Sequence, residues 1–173
     1  MILLVIDTQK AIVTPKLHDF DRFVSSVQQL IATARATGTE VVFVRHNDGY
    51  PPLTPGDPGF EIDARFCPAE GERIFDKQVN SAFCGAGLLE HLREKAEDTV
   101  IVAGLQTDYC MDATIKAGFE HGLRVIVPAH ANSTFDNAYM SAKVSYHYYN
   151  DYMWPGRYAQ CLPLEDVLAL LRP

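Results

Sequence analysis

Thr99-Val-Ile-Val-Ala-Gly-Leu-Gln-Thr-Asp-Tyr-Cys110-Met-Asp-Ala-Thr114 is the stretch whose reading decides the fold. Val100 to Ala103 is a short apolar run that reads as a buried strand. Gly104 is expected to break it, and Leu105 to Tyr109 to form a tight turn. Met111, Ile115 and Phe119 then share one helix face, Gly122 ends the helix, and Leu123 to Val127 begins a second β-rich run. The sum is a βαβ unit that puts Cys110 where a strand hands over to a helix. Unpaired N–H groups and the helix dipole at such a place favour a thiolate and lower the thiol pKa, and they can equally hold an oxyanion. The bland alternative is a small buried apolar residue, as most free cysteines are.

The rest of the chain repeats the pattern. Met1 to Ile6 is continuously apolar and reads as a central parallel strand buried on both faces, with Asp7 at its carboxyl end. Phe20, Val24, Val27, Ile31 and Ala34 mark one apolar helix face, stopped by Gly38. Val41 to Val44 is a second strand, leading to Arg45 and His46. Asn47 to Phe60 is too rich in proline and glycine for a regular element, and so long a loop suggests a lid or an interface arm. Arg73 to Asp76 reads as a third strand with Lys77 just past its end, followed by a helix carrying Leu88, Leu89 and Leu92. His130 to Phe135 reads as a polar loop. Ala159 to Leu162 is a sixth strand, and Pro163 starts a last helix.

Alternating strands and helices imply a parallel sheet with helices on both faces, in one domain over residues 1–173. In a doubly wound order strands 1 and 4 are neighbours, and ligands bind beyond the strand carboxyl ends at that switch point. Asp7 and Cys110 then meet, while Lys77 joins them only if its strand end or loop bends inward. No dinucleotide glycine motif and no Walker A motif is present.

Composition narrows the function classes. A net charge of −7 without a basic stripe argues against nucleic acid or an anionic membrane as partner. No segment is long enough to span a bilayer, and the N-terminus lacks the features of a signal peptide. The four cysteines show no metal spacing, so they read as free thiols in a reducing cytoplasm. The aromatic-rich segment Tyr139 to Tyr158 and the long loop suggest a homo-oligomer, a dimer or larger.

Asp7 after the first strand, Lys77-x-x-x-Ser-Ala-Phe83, and Gly104-Leu-Gln-Thr-Asp-Tyr-Cys110 occur in an order that resembles the isochorismatase-like cysteine hydrolases. The likeness spans nearly the whole chain. It implies a Rossmann-like α/β/α sandwich of six parallel strands and a triad of Asp7, Lys77 and Cys110. It implies a non-proline cis peptide at Leu105–Gln106, aiming the N–H groups of Gln106 and Cys110 at an oxyanion. The isochorismatases proper cleave a vinyl ether and lack the nucleophilic cysteine. Its presence here points to hydrolysis of a C–N bond in a small amide, ureide or carbamoyl compound. Nicotinamidases of this family bind a metal through an Asp-x-His…His pattern; Arg45-His46-Asn47-Asp48 offers no second nearby histidine, so neither a metal nor another cofactor is expected. Gln9, His46, Phe83, Tyr109 and Trp154 are the candidate substrate-pocket residues. The competing reading is a non-catalytic thiol redox sensor or an assembly subunit on the same fold.

Overall fold

Residues 1–172 are described by a computed structural model. Its elements are β1 (Ile2–Ile6), α1 (Phe20–Thr37), β2 (Glu40–His46), β3 (Arg73–Lys77), α2 (Leu88–Glu94), β4 (Thr99–Leu105), α3 (Asp112–Glu120), β5 (Arg124–Pro128), β6 (Asn132–Ser133), α4 (Ala142–His147), β7 (Gln160–Leu162) and α5 (Leu164–Leu170). The sheet is parallel in the order β3-β2-β1-β4-β5-β7, with β6 paired to the end of β4. It therefore has seven strands rather than six. The extra one is two residues long, inside the stretch expected to be a polar loop, and too short to carry a periodic signal.

The alternation of β1 builds both halves of the core. Leu3 and Val5 face the layer containing α1 and α5, while Ile2, Leu4 and Ile6 face α2 and α3. All five are essentially inaccessible, which is why the run is continuously apolar. Along α1 the buried stripe is Phe23, Ser26, Val27, Leu30, Ile31 and Ala34, with Phe20 and Val24 only partly covered. The apolar face is thus turned slightly from the one expected, because Phe23 and Leu30 carry it. Gly38 ends the helix in the left-handed conformation. Among the described residues no helix is long and apolar enough to cross a membrane.

Two details of register place the site. Ile6 pairs with Val44 on one side and Gly104 on the other, so the carboxyl ends of β1, β2 and β4 lie level. The break expected at Gly104 does not occur; β4 runs on to Leu105. A Cβ at Gly104 would overlap the Ile6 carbonyl, so the glycine serves the close approach of β1 to β4. Lys77 likewise belongs to β3, as its last residue, and pairs with His46 of β2.

Candidate active site

Asp7 leaves β1 with φ 51, a left-handed conformation that is uncommon outside glycine, and its N–H donates to the Val44 carbonyl at 2.8 Å. That bend turns the carboxylate into the crevice between β1 and β4. On the other wall the Leu105–Gln106 peptide is cis, as the family resemblance implies. Thr107–Met111 then winds as a π-helical turn, with the Met111 N–H reaching the Gln106 carbonyl, and passes directly into α3. Cys110 lies in this turn and is buried.

Lys77 joins the two although β3 is separated from β1 by β2. Its side chain is fully buried, crosses the end of β2, and brings Nζ to 2.8 Å from Asp7 Oδ2 and 3.2 Å from Cys110 Sγ. The third ammonium N–H meets His46 Nδ1 at 2.9 Å. All three donors of the ammonium thus have an acceptor. Asp7 Oδ1 is buried and has no hydrogen-bond partner among the described residues, and the Asp7 carboxylate lies within 4.8 Å of the Cys110 sulfur.

These surroundings set the proton inventory. Burial pushes the Asp7 carboxyl above its ordinary value, with Lys77 opposing. Burial, reinforced by the Asp7 carboxylate, pushes the Cys110 thiol up to about 12, with Lys77 again opposing. The lowered thiol pKa expected from a helix start is therefore reversed, because desolvation outweighs the ammonium and the helix end. The same burial makes Cys110 less accessible to reagents than the exposed Cys67 and Cys84.

The remaining pocket candidates divide sharply. Gln9 is buried and works as a latch: its amide donates to the His46 and Phe60 carbonyls and accepts from the His46 N–H, tying the proline-rich loop to β2. Phe83 is buried beneath the site, packed on His121 and close to Gly118. Trp154 is wholly buried, its indole N–H donating to Asp112 at 2.9 Å, so it supports α3 from within the core. Tyr109 is half exposed and, with Asp108, borders a cavity of about 480 Å3 walled also by Tyr139 and Tyr149. Asn80 is a polar neighbour not singled out from sequence; its Oδ1 lies 3.7 Å from Cys110 Sγ. An asparagine in a loop reads as a turn former, and its only signal is its place between Lys77 and Ser81.

Asp7, His46 and Cys110 also offer donor atoms within 4.8 Å of one another, a spacing that could hold a metal ion. The Lys77 ammonium stands among those donors, within hydrogen-bond distance of each of the three residues. A second cation there would meet it at close range, so these residues do not fit a metal.

Replacing Lys77 by Met should show how the pair is balanced. Asp7 would lose the cation that opposes its upward shift. A carboxyl raised in the folded state favours folding while protonated, and this contribution is lost as pH rises above its ordinary value near 3.8. Lys77→Met should therefore melt progressively further below wild type from pH 4 to 8, approaching a deficit of about 3–5 kcal/mol if the carboxylate is forced to ionise. Melting temperatures of both proteins across that range check it.

The isochorismatase domain profile matches residues 1–148. Over 147 residues the chain is 33% identical to maleamate amidohydrolase from Pseudomonas putida, covering 72% of this chain and 68% of that protein. Over 138 residues it is 32% identical to streptothricin hydrolase from Streptomyces noursei, covering 78% of this chain and 54% of that protein. The chain thus spans about half the length of the streptothricin hydrolase. An isochorismatase-family protein of known structure from Chromobacterium violaceum superposes with a TM-score of 0.90 at 28% identity, over 98% of this chain and 92% of that one. The chain belongs to the isochorismatase family.

Proposed function

We propose that this chain is a cysteine-dependent hydrolase that cleaves a C–N bond of a small amide, ureide or carbamoyl compound through a thioester. The observation that carries this reading is the convergence of Asp7, Lys77 and Cys110 at the carboxyl end of the sheet, with one Asp7 oxygen left open. The amide-cleaving activity in the name of one relative agrees with it.

In the resting site the thiol keeps its proton. As Cys110 Sγ attacks the carbonyl carbon, Asp7 takes that proton and the carbonyl π electrons move to oxygen. Backbone N–H groups of Gln106 and Cys110 are assigned to that oxyanion. Lys77 keeps its charge throughout, stabilising first the sulfur and then the carboxylate. Collapse of the intermediate breaks the C–N bond, and protonated Asp7 gives its proton to the departing nitrogen. Asp7 then removes a proton from water, whose oxygen attacks the thioester. Acid is released, and the proton returns from Asp7 to sulfur. Tyr109 and the cavity beside it are assigned to the part of the substrate that extends beyond the reacting carbonyl, since Asp7, Lys77 and Cys110 do not line that cavity. Ammonia release from a panel of small amides, ureides and carbamoyl compounds tests the reading, and a silent panel would favour a non-catalytic thiol protein on this fold.

No metal enters these steps. Dialysis against a strong chelator should leave turnover unchanged, measured before and after zinc or manganese is added back. The free cysteines fit a reducing cytoplasm. Tyr139, Val144, Tyr148 and Tyr152 expose apolar surface around α4, and this face is assigned to contact between subunits. Light scattering over a wide concentration range should give a mass of two chains or more.

A further inference from the structure

We propose that His46, oriented by Asp48, is a positioning residue that holds the Lys77 ammonium against Cys110. This deepens the proposed function and rests on it for its catalytic meaning, although its test does not need turnover. His46 Nδ1 lies 2.9 Å from Lys77 Nζ, and Nε2 lies 2.9 Å from Asp48 Oδ1. An ammonium only donates, so Nδ1 must accept; the ring proton then sits on Nε2 and donates to Asp48. The ammonium thus donates on one side to the imidazole, which donates on to the Asp48 carboxylate, and on another side to the sulfur, 3.2 Å away.

The physical need for this arrangement follows from burial. Lys77 is a fully buried cation with one carboxylate partner. Without His46, one ammonium N–H would point into the protein unpaired, which costs free energy. The ammonium would also be free to rotate away from sulfur. His46 itself lies 4.0 Å from Sγ, longer than Lys77, so its effect on the thiol passes mainly through Lys77. The groups that face the sulfur and bear on its charge are Asp7 from the end of β1, Lys77 from β3, His46 from β2 and the uncharged Asn80. Asp48 is on the far side of the imidazole. The Gln9 amide clamps the His46 backbone through both its N–H and its carbonyl, which fixes the position from which the ring reaches.

The test is the pH dependence of iodoacetamide modification at Cys110, followed by peptide mass spectrometry so that Cys67, Cys84 and Cys161 are counted separately. His46→Leu removes the acceptor and should slow Cys110 modification at least threefold at pH 8 to 9, moving its profile to higher pH. His46→Asn can place an amide oxygen near the Nδ1 position and should restore most of the rate. Asp48→Ala alters a partly exposed carboxylate, keeps the buried groups, and should give a smaller shift in the same direction; it serves as the second variant if His46→Leu does not fold. A purely structural histidine would lower the melting temperature of the variants without moving the profile. An unshifted profile in the folded His46→Leu protein, or in Asp48→Ala if His46→Leu does not fold, would overturn the inference, as would equal shifts for Leu and Asn. Failure of the cysteine-hydrolase reading would show instead as a silent substrate panel or as undiminished turnover in Cys110→Ala, whatever the alkylation profiles.

Discussion

Cys110→Ala should abolish turnover of any substrate the panel reveals while leaving the fold intact. The sulfur forms the bond to the acyl carbon in the proposed reaction, and a methyl group has no electron pair to replace it. What survives would be rate enhancement from binding and oxyanion stabilisation alone, and loss of a nucleophile typically removes about 10^6 in kcat. Stability should change little, because a small buried side chain is exchanged for a smaller one and the Asp7–Lys77 pair is retained. Removing the thiol also removes an acceptor of Lys77, so a modest fall in melting temperature is expected. Ammonia release by equal amounts of wild type and variant, with circular dichroism to confirm folding, checks it. A folded variant with undiminished turnover would make the sulfur a bystander.

Asp7→Asn should keep the fold and still bind substrate but lose about a hundred- to ten-thousandfold in turnover, the usual contribution of general acid–base catalysis. An asparagine can turn its carbonyl oxygen to Lys77 and preserve that hydrogen bond. It then presents an NH2 group where Asp7 Oδ1 now stands open, and an amide cannot take the thiol proton. The substitution also removes the Asp7 charge that reinforces the upward shift of the thiol, but burial, the larger cause, remains, so the sulfur keeps its proton and has no base to take it. Lys77 would also stand buried without its counter-ion, so the variant should melt below wild type. The wild-type pH profile carries the same information. Asp7 must be ionised to accept the proton, and burial raises its pKa, so kcat/KM should fall on the acid side at a pH above the ordinary carboxylate value. Near-normal turnover in folded Asp7→Asn would leave Asp7 as a strand-end turn residue.

Asp7 and Cys110 were legible because each follows a continuously apolar strand, and the order of elements makes those strands neighbours. Lys77 was different. A lysine at the end of a short edge strand reads as a solvated charge, and only the family resemblance brought it to the site. Its burial depends on a side chain crossing the end of β2, and no periodicity encodes that. Trp154 shows the opposite difficulty. An indole close to a cluster of tyrosines suggests a pocket wall, but the Asp112 carboxylate captures its N–H and the ring fills the core. The upward thiol shift could not be read either, since it depends on how completely the π-helical turn is covered. Nor could the role of Asp48, whose partner ring is fixed by Lys77 from a different strand.

The central claim is that hydrolysis passes through a thioester on Cys110, and partitioning to hydroxylamine tests it most directly. Two substrates that share an acyl group and differ in leaving group would be turned over in the presence of hydroxylamine, and the hydroxamate and acid products measured. A common acyl-enzyme gives both substrates the same ratio of hydroxamate to acid, whatever their individual rates, and that is the expected result. A ratio that changes with the leaving group, or acid alone with no hydroxamate, would contradict a thioester intermediate.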